Sequence, residues 1–458
     1  MTGRSTTGVQ ISAHRFLLRR LEHALVRGDV RMVDDPMRAQ ALSLLTGSIL
    51  AVIGLGVAAV LAFLQPRGAL GDDPIVMVRD SGALYVRVDR TLHPVPNLAS
   101  ARLIAGSTAK PRLVSGSAVG AAPRGAALGI PGAPDAIGSP LTGDESTWMV
   151  CEDDSGSSTV LIGSVGDTRA AEGGVLVSSA DEAQTYLLFD GRRAKVDLRS
   201  PAVVRALALD GVVPRPVTRA LLDTVPEVPE IKAPAIRDAG APAPAPLHRL
   251  RIGAVIRVPR AEAWEHYVVL GAGVQRIGMV AADLIRFTQP QHAHEIVTVE
   301  PGIIGTVPVV GELPVGHFPD RAHPIDDPVV CGRWSWSASA KSVVTETITV
   351  DAVPDVPAVR LAQADDDGTA IDGFAMSGGR SAYVRAVGVS GDGARTGTLF
   401  MVNDAGAVFG IRDEETARRL GLTGHPVPAP WPLLARLPRG PELSVDAASV
   451  ARDGSGAP

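Results

Sequence analysis

A nucleotide-binding P-loop needs glycine, lysine and a hydroxyl in succession, because the lysine reaches the β- and γ-phosphates and the hydroxyl binds magnesium. The chain has four lysines, Lys110, Lys195, Lys232 and Lys341, and none follows a glycine. "GAGVQRIG" (Gly271–Gly278) and "GDGARTG" (Gly391–Gly397) approach the dinucleotide pattern GxGxxG. Both lie between apolar strands and read as hairpin turns. The sequence holds no HExxH zinc motif and no GxSxG nucleophile elbow. "HAHE" (His292–Glu295) puts two histidines on one face of an extended segment but lacks a third clear ligand, so an exposed polar strand is expected. "QADDDGTAIDG" (Gln363–Gly373) is close to a calcium loop, yet Gln363 holds the first ligand position and Phe374 the twelfth, where glutamate is required. It reads as a solvated acidic turn. "WSW" (Trp334–Trp336) stands near Cys331 and is expected to pack on that residue's bridge, with a glycan-stacking platform as the alternative. No catalytic, cofactor-binding or metal-ligating residue emerges, and no cofactor is expected.

The elements around these motifs say more. "LSLLTGSILAVIGLGVAAVLAFL" (Leu42–Leu64) carries no charge. As a helix it reaches about 34 Å, enough for a hydrocarbon core of about 30 Å. It is too long for a signal peptide, and about 40 residues precede it. No other stretch approaches its length, so a single span is expected. Residues 1–40 hold seven Arg and four acids, net +3, whereas residues 65–90 hold four Arg and four Asp, net zero. The positive-inside rule places the N-terminus in the cytoplasm and the large C-terminal part outside, in the periplasm. The whole chain is weakly acidic, at -5, so no basic field points to nucleic acid.

Before the span, Leu17, Leu18, Leu21, Ala24 and Leu25 recur at helical spacing. Arg15, Arg19, Glu22 and His23 lie on the other face, and Gly28 is a stop. Asp35 and Pro36 then look like the N-cap and first residue of a helix running into the span. Two readings remain open. The first helix rests on anionic lipid, or it docks against a partner that completes a core which about 30 residues cannot build alone.

Outside, four segments share a strand, a tight glycine turn and a second strand: Ile75–Val88, Thr185–Leu198, His266–Val280 and Leu399–Ile411. Helical stretches with cap and stop follow three of them, at Asn97–Gly106, Ser200–Gly211 and Asp413–Gly424, and "AADLIRF" follows the other as a weaker match. Cys151 lies between the first two repeats and Cys331 between the last two. Two cysteines in an oxidising compartment are expected to form a disulfide. The Val225–Leu247 stretch reads as a Pro/Ala linker too stiff and polar for a core. The expected fold is α+β. A single N-terminal transmembrane helix precedes an elongated extracytoplasmic region, in which four β-hairpin/helix repeats surround a strand-rich central domain with pseudo-twofold character. The expected boundaries are 1–41 for the cytosolic amphipathic and juxtamembrane segment and 42–64 for the span. Repeat 1 covers 65–120, the first central part 121–180 and repeat 2 181–235. Linker and repeat 3 cover 236–300, the second central part 301–390, repeat 4 391–446 and a disordered tail 447–458.

"RFLLRRLEHALVRGDVRM" followed by "DP", one span and a four-repeat outer part with two cysteines resembles the EccB family, bitopic core components of the type VII (ESX) secretion systems of actinobacteria. Nearly the whole chain shares the resemblance. Family members usually have Gly-Tyr before the Arg-Phe pair, where this chain has Ala13-His14. The resemblance implies a non-enzymatic structural subunit of the inner-membrane secretion complex, joined to EccC, EccD, EccE, other EccB copies and the mycosin protease MycP. It implies that Arg15, Phe16, Leu17, Arg19, Arg20, Leu21, Asp35 and Pro36 dock a partner. The family also carries the label of ATPase, so an atypical nucleotide site is one alternative, and a membrane-tethered cell-wall binding module is another.

Overall fold

The computed structural model describes residues 8–28, 36–64, 70–163, 170–179, 183–261, 263–288, 296–321, 323–354, 356–366, 368–393 and 395–452. These fall into two compact units. One is Met1–Asp72 with Val78–Asp80 and Leu113–Ala121, and the other is the rest of the chain. In the first unit, α1 (Gly8–Arg27) stops at Gly28, whose φ of 68° is left-handed and whose amide donates to the Ala24 carbonyl at 2.9 Å. The second helix, α2 (Pro36–Leu64), has proline at its first position and 29 residues. It therefore carries the apolar run and a juxtamembrane turn as one rod of about 44 Å. Hydroxyls in the apolar run are satisfied internally. Thr46 donates to Leu42 O and Ser48 to Leu44 O, both at 2.8 Å.

Along the chain follow β1 (Ile75–Val78), β2 (Leu84–Val88), β3 (Thr91–Val95), α3 (Leu98–Ala105), β4 (Arg112–Val114) and α4 (Gly116–Gly120). Two short strands, β5 (Ala127–Leu128) and β6 (Ser139–Pro140), precede a central hairpin of β7 (Thr147–Asp153) and β8 (Ser158–Ile162). Repeat 2 is β9 (Val175–Ser179), β10 (Thr185–Phe189), β11 (Arg192–Lys195), α5 (Pro201–Ala206), β12 (Arg215–Val217), α6 (Arg219–Thr224) and β13 (Glu227–Val228). Repeat 3 is β14 (Val255–Arg260), β15 (Ala263–Leu270), β16 (Gly273–Ile277), α7 (Met279–Thr288), β17 (Val297–Thr298) and α8 (Pro301–Ile304). The second central part is β18 (Val329–Ser337), β19 (Ser342–Val350), β20 (Val359–Arg360) and β21 (Gly373–Ala375). Repeat 4 is β22 (Arg380–Val387), β23 (Leu399–Asn403), β24 (Val408–Ile411), α9 (Glu414–Leu420), β25 (Val427–Pro430) and α10 (Trp431–Leu434), and α11 (Val445–Ala448) and β26 (Ala451–Arg452) close the chain.

The repeating unit is larger than a hairpin and helix. In repeats 2, 3 and 4 an upstream strand pairs antiparallel with the hairpin, and a fourth strand returns parallel to that first strand after the helix. The hairpins expected at 185–198, 266–280 and 399–411 are thus the second and third strands of their sheets, whereas the one at 75–88 is the first and second. Hairpin pairing is local and shows in sequence. A parallel return crosses a helix and leaves no local signal. Caps behave as their chemistry requires at α3 and α9, where Asn97 and Asp413 accept from Ser100 N and Thr416 N. The stops differ from expectation at two places. The α5 helix ends at Leu207 with Ala208 left-handed, before Gly211, and α9 ends at Gly421, before Gly424.

The central sheet has the order β19-β18-β7-β8-β21-β20 and joins both halves of the chain. Its β7–β18 register sets Cys151 opposite Cys331 and Trp148 opposite Trp334. Met149, Cys151, Leu161 and Ile348 share one apolar cluster, while Trp148, Val150, Val160 and Trp334 belong to another. The WSW segment therefore does not pack on the bridge. Trp334 lies three positions from Cys331, an odd step, so the strand turns them to opposite faces. Its indole donates to Val389 O at 2.9 Å.

The stretch 225–247 is not a linker outside the cores either. Ile231, Ala243 and Leu247 are buried and join the cores of repeats 2 and 3. The expected tail begins with ordered chain, because β26 pairs with β5 and Arg452 Nε donates to Gly129 O at 3.0 Å.

Repeats pair across the chain order. Repeat 1 joins repeat 4 through Ala99, Leu103, Ala417 and Leu420 in one core, and repeat 2 joins repeat 3 through Val203, Leu207, Val280 and Leu284 in another. The "AADLIRF" stretch lies in α7, whose Val280 and Leu284 supply half of that second contact.

Candidate functional site

Among the described residues no group of three or more His, Cys, Asp or Glu is arranged to hold a metal ion. HAHE lies outside the described residues. "GAGVQRIG" forms the turn and strand of a hairpin, and the acidic run 363–373 is not simply solvated. Asp372 is buried and accepts from Asp365 N at 2.9 Å and Asp366 N at 2.7 Å, while Asp365 accepts from Thr369 N at 3.1 Å. Its carboxylates cap the turn's own amides.

The expected docking residues fall on α1 and at the start of α2. Phe16, Leu17 and Leu21 are 56%, 54% and 60% exposed, and Leu18 and Leu25 are exposed with them. His23, expected on the polar face, is instead buried. Arg15, Arg19 and Arg20 are exposed on the same helix, Pro36 opens α2, and Asp35 lies outside the described residues. These leucines and Phe16 form an exposed apolar face along the helix. One helix among the described residues, Gln40–Leu61, is long and apolar enough to cross a membrane, and none of it is buried.

Cys151 and Cys331 are bonded, with Sγ–Sγ 2.04 Å, and both are buried. The bond staples the two central segments across 180 residues of chain. Around that sheet the repeats are held by paired contacts. Arg102 Nη1 donates to Leu420 O at 2.7 Å, and Arg419 Nη1 donates to Leu103 O at 3.1 Å. Each guanidinium thus satisfies terminal carbonyls of the opposite helix, next to the left-handed Gly421 and Gly106. Arg102→Ala is expected to lower stability by about 1–3 kcal/mol, because it leaves a partly buried carbonyl unpaired and removes packing. A denaturation double-mutant cycle with Arg419→Ala checks this. Strictly additive losses would mean that the two contacts act apart.

Two hairpin tips grip the central sheet. The Asp190–Gly191 turn meets β19, where Thr345 Oγ1 donates to Gly191 O at 2.8 Å. The turn ending at Gly406 meets the Phe374 ring of β21. Repeat 2 ends near α6 and repeat 4 near α10, and these two helices contact each other. Val225 and Leu221 of repeat 2 pass close to Gly332 of β18.

The end of β7 carries the group that the sequence reading missed. Glu152 is 2% exposed. It accepts from Thr218 N at 2.9 Å and from the Thr218 hydroxyl, at the N-terminus of α6. Burial, which these hydrogen bonds oppose only in part, pushes its carboxyl up to about 7. Nothing local marks Glu152 in "CEDDSG", since its partner lies 66 residues away.

A family model described as "Type VII secretion system ESX-1, transport TM domain B" matches residues 3–457. The chain is 34% identical over 472 residues to the protein named ESX-3 secretion system ATPase EccB3 of Mycolicibacterium smegmatis, covering 97% of this chain and 90% of that one. It is 36% identical over 480 residues to the ESX-5 secretion system ATPase EccB5 of Mycobacterium tuberculosis, covering 98% and 94%. Among solved structures it is similar to a chain of an intact ESX-5 inner membrane complex, with TM-score 0.71 and 33% identity over 99% of this chain and 97% of that one. It is also similar to a chain of an EccB3 dimer from the ESX-3 core complex, with TM-score 0.70 and 31% identity over 83% and 100%.

Proposed function

Since the chain belongs to the EccB family of type VII secretion proteins, we propose that it is a non-enzymatic structural subunit of an ESX secretion complex in the inner membrane. The observation that carries this reading is the match, along almost the full chain, to a subunit of an intact ESX-5 inner membrane complex. The α2 helix anchors it. By the charge asymmetry around the span, the N-terminus is cytoplasmic and the repeats are periplasmic. The outer part associates with other copies of the same chain, a role in keeping with the dimer seen for the EccB3 relative.

The finer partners rest on family resemblance together with the uncovered face of α1. EccC, EccD and EccE are the core subunits that the cytosolic segment and span would meet, and MycP meets the outer part. Arg15, Phe16, Leu17, Arg19, Arg20, Leu21, Asp35 and Pro36 form the docking peptide. Affinity purification from native membranes in mild detergent, with mass spectrometry and native sizing, tests the reading. A megadalton species holding EccC, EccD and EccE is the expected result, and a small partnerless species that stays so under crosslinking would overturn it. Leu17→Asp with Leu21→Asp is expected to cut co-purified core subunits at least about tenfold, because a charge in a desolvated interface loses several kcal/mol. Membrane insertion, set by α2, stays intact. Unchanged recovery would move the docking site off α1.

The word ATPase in the relatives' names keeps a second reading in view. No lysine follows a glycine here, so a nucleotide would have to bind by other means than a P-loop. Hydrolysis by the purified full chain that persists through sizing would favour it.

A further inference from the structure

The cleft beside Glu152, about 670 Å3, lies where the β7–β8 turn, residues 211–218 and residues 324–326 meet. Its walls belong to the central sheet and to repeat 2. On one side the contact is apolar, with Val217 and Leu221 in the same core as Trp148 and Val330. On the other side two carboxylates cross from the end of β7. Glu152 reaches Thr218, and Asp154 pairs with Arg215. We propose that this seam is a proton-operated joint, closed while Glu152 is protonated and loosened when Glu152 is ionised.

The geometry supplies both the strain and the relief. Glu152 stands opposite Ser158 in the β7–β8 register, and Ser158 is tied to Asp372 through its amide at 2.8 Å and its hydroxyl at 3.2 Å. An ionised Glu152 is therefore buried near a second carboxylate, which adds to the upward push of desolvation. The charges around it are few. Asp372 comes from the loop before β21, Arg215 and Asp154 pair on the cleft wall, Arg219 opens α6, and Asp326 lies on the facing segment. Asp153 is engaged by the amides of Ser155 and Ser157 at 2.9 and 3.1 Å. Arg215, the cation on the cleft wall, already has Asp154.

The direction follows from linkage. The carboxyl holds its proton more tightly in the closed joint, at about 7, than at its ordinary 4.5. Closure is then most favourable at or below the ordinary value, weakens as pH rises toward about 7, and levels off above it. Between about pH 6 and about pH 8 the opening equilibrium should rise about tenfold. Hydrogen exchange on the full chain in detergent reads this directly. After correction for intrinsic exchange, protection of residues 212–224 and of the 153–157 turn should fall about tenfold over that range, while protection of β18 stays level. Glu152→Gln keeps the shape and an acceptor for the Thr218 amide, and its profile should be flat. A flat wild-type profile overturns the proposal, as does a Glu152→Gln profile parallel to wild type. Thr218→Val serves where Glu152→Gln fails to fold. It removes the hydroxyl that favours the ionised form, so the midpoint should move to higher pH. An unmoved midpoint assigns the dependence to another group and overturns the joint.

Discussion

Replacing both cysteines, Cys151→Ala with Cys331→Ala, is expected to lower the unfolding free energy of the central sheet by roughly 5 kcal/mol on the chain-entropy account. The bond closes a loop with a sequence separation of 180 residues, holding repeats 2 and 3. Without it, the unfolded chain regains the freedom of that loop, and β7 and β18 must find each other from opposite ends of it. Each sulfur is buried in the cluster of Met149, Leu161, Val329 and Ile348, so the loss of packing adds to the effect. Trp148 and Trp334 sit on the other face of the same sheet and report its unfolding by fluorescence. The expected readout is a lower denaturant midpoint for that signal. A shift under about 1 kcal/mol would mean that pairing along β7–β18 holds the halves together unaided. Because the sulfurs are buried, reductant added under native conditions should leave the wild-type bond intact.

Gly191→Val should destabilise by about 3–5 kcal/mol, and the loss should be localised. Gly191 has φ 66°, a region that a β-branched residue enters only at a cost. A Cβ there would also lie 1.9 Å from the Thr345 carbonyl oxygen, which is backbone and cannot swing away. The repeat 2 hairpin would have to lift off β19 and lose the Thr345–Gly191 hydrogen bond. Gly211→Val is the matched control. Gly211 also has positive φ, 77°, but nothing lies within 4 Å of its added Cβ. It carries backbone strain alone, about 1–2 kcal/mol. Denaturation, with hydrogen exchange over β10, β11 and β19, separates the two. Equal losses at Gly191 and Gly211 would show that the hairpin tip does not grip the central sheet.

Several elements were legible in the residues because their causes are local. The apolar run before residue 65 needs only length and absence of charge to become a helix able to span. The stop at Gly28 and the caps at Asn97 and Asp413 need only their own neighbours. The hairpins at 185–198 and 399–411 follow from two adjacent strands and a turn. The cysteine pairing was open to arithmetic, since there are only two. Even the side of the sheet that Trp334 takes is local, because an odd step from Cys331 along a strand reverses the face, whereas closeness in sequence does not bring the two together.

What sequence by itself determined about this chain is its local inventory: one apolar run long enough to span, one amphipathic helix, two cysteines and a fourfold hairpin pattern without a P-loop lysine. Only the tertiary structure decided which pieces meet. Repeat 1 pairs with repeat 4, although more than 300 residues separate Arg102 from Leu420. The 225–247 stretch, proline-rich along its length, buries Ile231 and Leu247 because neighbouring sheets supply the rest of their cores. Glu152, one of three consecutive acids, loses water and gains Thr218 only when repeat 2 closes over the end of β7. The physical reason is the same in each case. Burial, desolvation and parallel pairing depend on surfaces brought from distant parts of the chain, and no run of neighbouring residues encodes which surface will arrive.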